Sequence, residues 1–330
     1  MNPHPWLSPL GTAFGAAAAL RTRLYARGVL RRHALAGPVI SVGNLAVGGR
    51  GKTPLVARIA GLLRDSGQRV AILSRGYGGT SPGAPLLVSD GEAVLADADV
   101  AGDEPVLLAR SLPGVIVAVA RRRVEAGRMV EARFGQCVYV LDDGFQHLGL
   151  ARDLDLVAIE AEDLAGRPMP AGLLRERPAA LVRADFVLLS ARNGAALPPG
   201  LDPARTLRWH RRSLGFVSAF GLARPMPPRA FVVSAIAAAE RVAADLSALG
   251  CRVVGQALFR DHHRFTAGEL ESAAAAARAA AADAVVTTEK DAVRMAWTAT
   301  GPPLVVHRME AVLEDEGRLR DLLSRAAPAA

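Results

Sequence analysis

Short, continuous apolar runs alternate along the chain with stretches in which apolar residues recur every three or four positions. The runs are typical of strands buried on both faces, and the recurring pattern is typical of amphipathic helices. Strands are predicted over residues 38–44, 69–74, 115–120, 137–141, 154–160, 185–190, 231–235, 252–255, 284–288 and 304–307, and a strand or hairpin over residues 206–219. The alternation predicts an α/β fold with a mainly parallel sheet that helices flank on both faces.

The glycine-rich segment after the first predicted strand carries the strongest chemical signal. It comprises Gly48, Gly49, Arg50, Gly51, Lys52 and Thr53, and an amphipathic helical pattern follows it. A strand, a glycine loop ending in Gly-Lys-Thr and a helix form the context of a phosphate-binding P-loop, which disfavours a glycine turn without a ligand. Backbone N–H groups and Lys52 would hold the phosphates of a nucleotide, and the Thr53 hydroxyl would ligate Mg²⁺.

The loop departs from the strict P-loop pattern at one position. Ala46 stands where that pattern has glycine. Holding an alanine in the left-handed conformation costs roughly 1–2 kcal/mol. We therefore expect the loop to turn on Gly48 and Gly49 instead.

Charge and composition narrow the range of partners. The chain has 40 basic and 32 acidic residues, a net charge of +8, which favours anionic partners such as nucleotides or a phospholipid surface. Aromatic residues make up only 5%, and no basic stripe with interleaved aromatics is present, which argues against nucleic acid. Only Lys52 and Lys290 are lysines, and a drift toward arginine explains their scarcity. Cys137 and Cys251 lie in apolar runs, as buried thiols of a reducing cytosol do.

The N-terminal region has an apolar stretch, residues 7–20, followed by five arginines between residues 21 and 32. A spanning helix needs about 20 apolar residues, so this stretch is too short, and no cleavable signal peptide is evident. Two interpretations stay open. The segment is either an interfacial helix on a lipid surface or a helix packed on the protein's own core.

Acidic residues and histidines follow several of the predicted strands. Asp142 and Asp143 end the fourth strand, as in a Walker B segment that holds Mg²⁺, and both can serve only if the strand ends there. Asp103 begins a predicted helix, either as a functional carboxylate or as a simple cap. His262 and His263 are adjacent and point in different directions, so a metal pair is disfavoured and one histidine at a loop site is expected.

Several longer motifs, in their order and spacing, resemble those of the tetraacyldisaccharide 4'-kinase family. They read SVGNLAVGGRGKTP, ILSRGYGG, GDEPVLLA, LDDGFQHLGLARDLDLV, PAGLLRE, FRDHHRF and TTEKDAVR, and they span residues 38 to about 294. The chain departs from the family pattern at Arg50, where a small residue is usual, and at residues 234–237, which replace a Gly-Ile-Gly block.

The resemblance implies an enzyme that transfers the γ-phosphoryl group of ATP to the 4'-hydroxyl of the tetraacylated disaccharide 1-phosphate precursor of lipid A. It also implies a peripheral location at the cytoplasmic face of the inner membrane. The site residues that it implies are Asp103 as base with His262 as its partner, Lys52 and Gln146 at the nucleotide, and Thr53, Asp142, Asp143 and Glu176 at the metal. Arg75 and Tyr77 are expected on the acceptor side. Arg121, Arg122 and Arg123 could also meet the substrate's phosphate there, although this run fits a solvated helix start equally well.

These patterns predict three parts: an N-terminal interfacial helix region over residues 1–37, a P-loop kinase core over residues 38–200, and a smaller C-terminal α/β domain over residues 201–330. The loop-like segment 191–205 marks the second boundary. The alanine-rich tract 273–282 favours a helix over a disordered linker.

The competing class is a P-loop GTPase or metallochaperone, a switch protein that transfers nothing to a sugar. Two positions argue against it: Val47 stands where dimeric ATPases of that class commonly have a second lysine, and Asp291 follows Lys290 directly, which is the wrong spacing for a guanine-reading Lys-x-Asp. A membrane-binding module with an inactive nucleotide site is disfavoured by the carboxylates. The sequence leaves the oligomeric state open, as well as the identity of the carboxylate that contacts Mg²⁺.

Overall fold

The computed structural model describes residues 5–48, 51–80, 83–191, 196–298 and 300–328. Within these ranges one continuous sheet contains 13 strands. They are β1 Val39–Asn44, β2 Val70–Ser74, β3 Leu86–Ser89, β4 Ile116–Val119, β5 Val138–Asp142, β6 Leu154–Glu160, β7 Phe186–Ser190, β8 Thr206–Ser218, β9 Ala223–Arg224, β10 Arg229–Ser234, β11 Arg252–Leu258, β12 Ala284–Thr288 and β13 Leu304–Leu313. Every predicted strand is confirmed, whereas β3 and β9 were not predicted.

The helices lie between these strands. They are α1 Ser8–Ala26, α2 Lys52–Asp65, α3 Ala98–Ala101, α4 Asp103–Ser111, α5 Arg123–Phe134, α6 Glu240–Ala248, α7 Ala267–Ala279, α8 Glu289–Ala292 and α9 Glu316–Ala326. The alanine-rich tract is largely helical, as predicted, because Thr266 and Glu269 form a capping box at the start of α7.

The sheet is mostly parallel but changes direction once in its middle. Its order is β11-β10-β12-β13-β8-β7-β6-β1-β5-β2-β4-β3, with β9 beside β8. β8 pairs in parallel with β7 through its first residues, then continues and pairs antiparallel with β13. Strands β10 to β13 therefore run opposite to the parallel strands β1, β2 and β4 to β7. As a result the carboxyl ends of the two sets face each other across a cleft that β8 and β13 span.

Each set of strands is covered by helices on both faces. One core cluster joins β1 to α2, α4 and α9, and a second joins β2 and β5 to α5 on the other face. In the second set, α6 packs on one face and α7 on the other. All six residues of β1 are buried, which explains its continuous apolar run. The α/β class with helices on both faces is confirmed. The division into separate domains stays a prediction, and α9 packs against the first set of strands.

Helix α1 combines features of both interpretations of the N-terminal region. Its small residues Gly11 and Gly15 are buried, and a Cβ at position 11 would lie 2.7 Å from the carbonyl oxygen of Pro168. Leu10 and Leu20 are 58% and 57% exposed on the same helix. The helix thus packs on the protein through glycines and leaves larger apolar side chains outside. No helix in the described part of the chain is long and apolar enough to span a membrane.

Candidate active site

The P-loop connects β1 to α2, and two of its glycines are required by the backbone. Gly48 and Gly51 have φ values of 98° and 70°, in the left-handed region that favours glycine. A Cβ at Gly51 would also lie 2.6 Å from the Trp209 ring. The prediction that the loop turns on Gly48 is confirmed, while Ala46 pairs with Leu174 in an isolated bridge. The remaining predicted loop residues, Gly49 and Arg50, lie outside the described residues.

Lys52 begins α2 and points toward the end of the neighbouring strand β5. Its Nζ atom donates to Asp143 Oδ1 at 2.5 Å and to Asn44 Oδ1 at 3.2 Å. Arg175 donates to the other oxygen of Asp143 at 2.6 Å. The lysine is therefore held by the end of the loop's own strand and by the Walker B segment. Thr53 follows it in the first turn of the helix, where its predicted role as a magnesium ligand stays a prediction.

The two adjacent aspartates occupy different environments because β5 ends at Asp142. Asp143 follows with a φ of 55°, which turns its side chain toward Lys52, whereas Asp142 is buried and accepts a hydrogen bond from Ser74 Oγ at 2.8 Å. Burial and the Glu104 carboxylate raise the pKa of Asp142 to about 6. Burial also disfavours ionisation of Asp143, but Lys52 and Arg175 outweigh it and lower its pKa to about 2.

The oxygen ligands at this position fit Mg²⁺. The Thr53 hydroxyl and the carboxylates of Asp142 and Asp143 supply hard oxygen atoms, and Mg²⁺ is ordinarily held by one or two carboxylates together with substrate phosphates. Among the described residues, no group of three or more His, Cys, Asp and Glu side chains forms a complete metal cage. A metal at this site would therefore depend on the phosphates for the rest of its ligands.

Asp103 and His262 come together across the cleft. His262 Nδ1 lies 3.0 Å from Asp103 Oδ2, and Arg294 Nη1 donates to the same oxygen at 2.8 Å. Asp103 begins α4 and is only 4% exposed, while His262 lies after β11 with a φ of 60°. Burial raises the pKa of Asp103, but the hydrogen bond from His262 and the charges of Lys290 and Arg294 outweigh it, so the pKa is lowered. This carboxylate is ionised at neutral pH.

His263 points away from this pair. Its Nε2 atom lies 3.0 Å from Glu269 Oε2, and its ring stacks on Phe259 with centroids 4.8 Å apart. The two adjacent histidines therefore do not share a ligand, and His263 belongs to the start of α7. This geometry is why His262 is the better candidate for the site.

The predicted acceptor-side residues lie after neighbouring strands. Arg75 and Tyr77 follow β2 and Arg121 follows β4, and all three are exposed near the same edge of the sheet. The Tyr77 ring makes an edge contact with the His262 ring, with centroids 5.0 Å apart. Arg123, also considered for the acceptor side, is buried, and its Nε atom has no partner in the described structure.

Gln146 and Glu176 lie on the other side of the P-loop, near α1. Gln146 Nε2 donates to the Asn44 carbonyl oxygen at 3.0 Å, and its Oε1 atom accepts from Arg175 at 3.3 Å. Arg183 donates to both carboxylate oxygens of Glu176, at 2.7 and 3.0 Å. The predicted role of Glu176 as a metal ligand stays a prediction, and this ion pair favours a structural role beside the site instead.

Sequence reasoning missed the arginines that surround these carboxylates. Arg175, Arg183 and Arg294 each pair with a site carboxylate from a loop or a short helix. Arg175 lies within the motif PAGLLRE and Arg294 within TTEKDAVR. Their position in these motifs was the only feature of the sequence that could have indicated a role at the site.

A phosphate-binding loop with an ionised carboxylate on the same side of the cleft can align a phosphoryl donor with a hydroxyl acceptor. Fold and site therefore define the class of the protein as a P-loop phosphotransferase.

The particular family follows from comparison with known proteins. The model of the tetraacyldisaccharide-1-P 4'-kinase family matches residues 3–327, and the chain belongs to that family. It is 44% identical over 320 residues to the tetraacyldisaccharide 4'-kinase of Anaeromyxobacter dehalogenans strain 2CP-C, covering 91% of this chain and 84% of that one. It is 39% identical over 302 residues to that of Geobacter metallireducens, covering 88% of each chain.

The structure also resembles a solved relative. LpxK from Aquifex aeolicus in complex with ATP superposes with a TM-score of 0.82 at 31% identity, covering 97% of this chain and 98% of the other. The resemblance stated from the motifs is thus confirmed, and the competing hypothesis of a GTPase or metallochaperone is wrong.

Proposed function

We propose that this site carries out the reaction for which its family is named. The γ-phosphoryl group of ATP is transferred to the 4'-hydroxyl of the tetraacylated disaccharide 1-phosphate precursor of lipid A. The single observation that carries the assignment to this chain's residues is the Asp103–His262 pair, which joins α4, on the same side of the cleft as Lys52, to the second set of strands. A phosphoryl donor held by the loop and a hydroxyl held by the pair would meet between them.

The P-loop holds the nucleotide. The backbone N–H groups at the start of α2 and the Lys52 ammonium neutralise the β- and γ-phosphates. Asp143 and Asn44 hold the Lys52 ammonium group at the end of the loop, where it would meet the phosphates. Gln146 fixes the end of β1 through the Asn44 carbonyl group and so supports the loop.

Thr53, Asp142 and Asp143 would hold Mg²⁺ beside the phosphates. When bound, the ion would neutralise charge on the transferring phosphoryl group. The raised pKa of Asp142 supports this assignment, because the charge of Lys52 does not offset the burial of this carboxylate and a metal ion would supply further positive charge. Asp143 is already paired with Lys52 and Arg175, which favours Asp142 as the direct ligand.

Asp103 is the base. Phosphoryl transfer needs mainly alignment and charge neutralisation, so a carboxylate with a lowered pKa suffices to accept the hydroxyl proton late in the reaction. His262 and Arg294 both donate to Oδ2 of this carboxylate and hold it toward the cleft. The side chains of Arg75, Tyr77 and Arg121 line the acceptor side, where an arginine fits the 1-phosphate of the substrate.

The acyl chains lie against α1. A cavity of about 420 Å³ lies beside this helix, with Phe14, Leu148 and Met169 among its apolar lining residues. Gln146 and Arg175 line its inner end, where they adjoin the P-loop. An acyl chain in this cavity would place the sugar head at the phosphates. The exposed apolar residues of α1 and the arginines after them support attachment to an anionic membrane surface, namely the cytoplasmic face of the inner membrane.

The test is a transfer assay with ATP labelled in the γ-phosphate, Mg²⁺ and the tetraacyl disaccharide 1-phosphate in mixed micelles. We expect the label to appear in the lipid, at the 4' position. In the control with GTP and no lipid, we expect no hydrolysis of GTP. GTP turnover without transfer to the lipid would overturn the proposal.

A further inference from the structure

Lys290 has no assigned role, although it lies beside the proposed base. It is the second residue of α8, directly after the carboxyl end of β12, and its side chain is only 17% exposed. Its Nζ atom has three neighbours at hydrogen-bonding distance: Glu104 Oε1 at 3.0 Å, His262 Nε2 at 3.3 Å and Asp261 Oδ1 at 3.4 Å. These three acceptors match the three N–H donors of an ammonium group.

The contact with His262 acts together with the ionised Asp103 carboxylate, which only accepts, in determining which ring nitrogen carries the proton. A lysine ammonium group only donates, so Nε2 of the imidazole must accept. In a neutral imidazole the other nitrogen then carries the proton, and Nδ1–H points at Asp103 Oδ2, 3.0 Å away. Without the lysine, the Asp261 carboxylate, 3.7 Å from Nε2, would compete with Asp103 for the ring proton.

The same lysine links the two sides of the cleft. Glu104 begins α4 beside Asp103, while Lys290 belongs to the second set of strands. The charged groups facing this lysine and the pair are Glu104, Asp261 and Arg294. Lys290 contacts both His262 and Glu104 on the helix that carries the base.

We propose that Lys290 is a positioning residue of the phosphotransfer site: its ammonium group holds the His262 imidazole in the neutral tautomer whose Nδ1–H faces Asp103. Through Glu104 it also fixes the distance between base and histidine. The inference rests on the phosphotransfer function proposed above. The lysine itself does not touch the substrate, and it acts by keeping the Asp103 carboxylate in a single orientation with a donor on one oxygen.

The experiment reads the tautomer directly, by ¹⁵N NMR of the full-length protein labelled in its histidine side chains. The His262→Gln variant identifies the resonances. We expect wild-type His262 to carry its proton on Nδ1, and Lys290→Met to lose that preference. The kcat of Lys290→Met should fall about 10- to 100-fold, the range for groups that orient a functional histidine, with the KM for ATP unchanged. Lys290→Arg, which keeps a cationic donor, should restore the tautomer and most of the kcat.

Arg308→Met is the matched control, because Arg308 pairs with Glu289 on the same helix without contacting His262. It should change neither the tautomer nor kcat. Wild-type His262 protonated on Nε2 would overturn the proposal without any variant, and so would an unchanged Nδ1–H tautomer in Lys290→Met. If Lys290→Met does not fold, the wild-type and Lys290→Arg spectra still test the proposal, because both proteins should carry the His262 proton on Nδ1. A wild-type protein that does not phosphorylate the lipid would refute the proposed function and leave the tautomer measurement valid.

Discussion

Replacing Asp142 by asparagine should stabilise the folded protein while abolishing most of its activity. A pKa of about 6 in place of 3.8 means that ionising this carboxylate costs about 3 kcal/mol more in the folded protein than in the unfolded chain. An amide carries no charge, and its oxygen can still accept the hydrogen bond from Ser74 Oγ. Because the neighbouring side chains relax, we expect a gain in the free energy of unfolding of about 1–3 kcal/mol.

The gain in the free energy of unfolding of Asp142→Asn depends on pH, and the raised pKa of Asp142 determines the direction of that dependence. A raised carboxylate pKa penalises the folded state above about pH 6, where the group is ionised in both states. The penalty falls as the pH decreases from 6 toward 3.8, because the folded protein then binds the proton first, and it vanishes below 3.8. The advantage of Asp142→Asn should therefore be full at pH 8 and small at pH 4.

The assay is urea unfolding of both proteins in EDTA without nucleotide, at pH 8, 6 and 4, with thermal unfolding as a second measure. Tm should rise at pH 8 by about 2–4 °C for each kcal/mol gained. Asp283→Asn is the matched control: this surface carboxylate pairs with Arg229 at 2.9 Å, and its replacement should bring no gain. A loss of stability at pH 8 in Asp142→Asn would refute the argument, because it would mean that the carboxylate is stabilised by its surroundings.

Two further predictions concern the nucleotide and the membrane. Lys52→Ala should lower turnover by at least about 10²–10³-fold with little change in Tm, since Asp143 keeps its ion pair with Arg175. A steady-state assay and a melting curve on one preparation measure both quantities. Retained activity would remove the P-loop assignment. The double variant Leu10→Gln with Leu20→Gln should lower binding to anionic vesicles about tenfold or more in a sedimentation assay, because both side chains are exposed. Its affinity for ATP should not change. Vesicle binding equal to that of the wild type would mean that α1 serves only as a packing helix.

The sequence predicted the parts of this structure that depend on local patterns. Continuous apolar runs mark strands buried between two helical layers, and the loop glycines and the carboxylates after the strands mark one edge of the sheet. Strand β3 was missed because it is a short edge strand of four residues, and β9 because it has only two.

The apolar pattern could not predict the direction of the strands. A buried strand has the same pattern whether its neighbours run with it or against it, so the antiparallel pairing of β8 with β13 was not foreseen. That pairing brings Asp103 and His262 together from positions 159 residues apart. The arginines at the site were missed for a related reason, since a single arginine in a loop gives no sign of the carboxylate that it will meet.

The most direct test of the account is a double-mutant cycle on kcat with Asp103→Asn and His262→Ala. If the two residues act as one unit across the cleft, Asp103→Asn should lower kcat by about 10²–10⁴-fold, and His262→Ala should lower it less. The double variant should then be close to Asp103→Asn alone, because coupled residues do not lose activity additively. Losses that multiply independently would contradict the pairing of base and histidine on which the proposed mechanism depends.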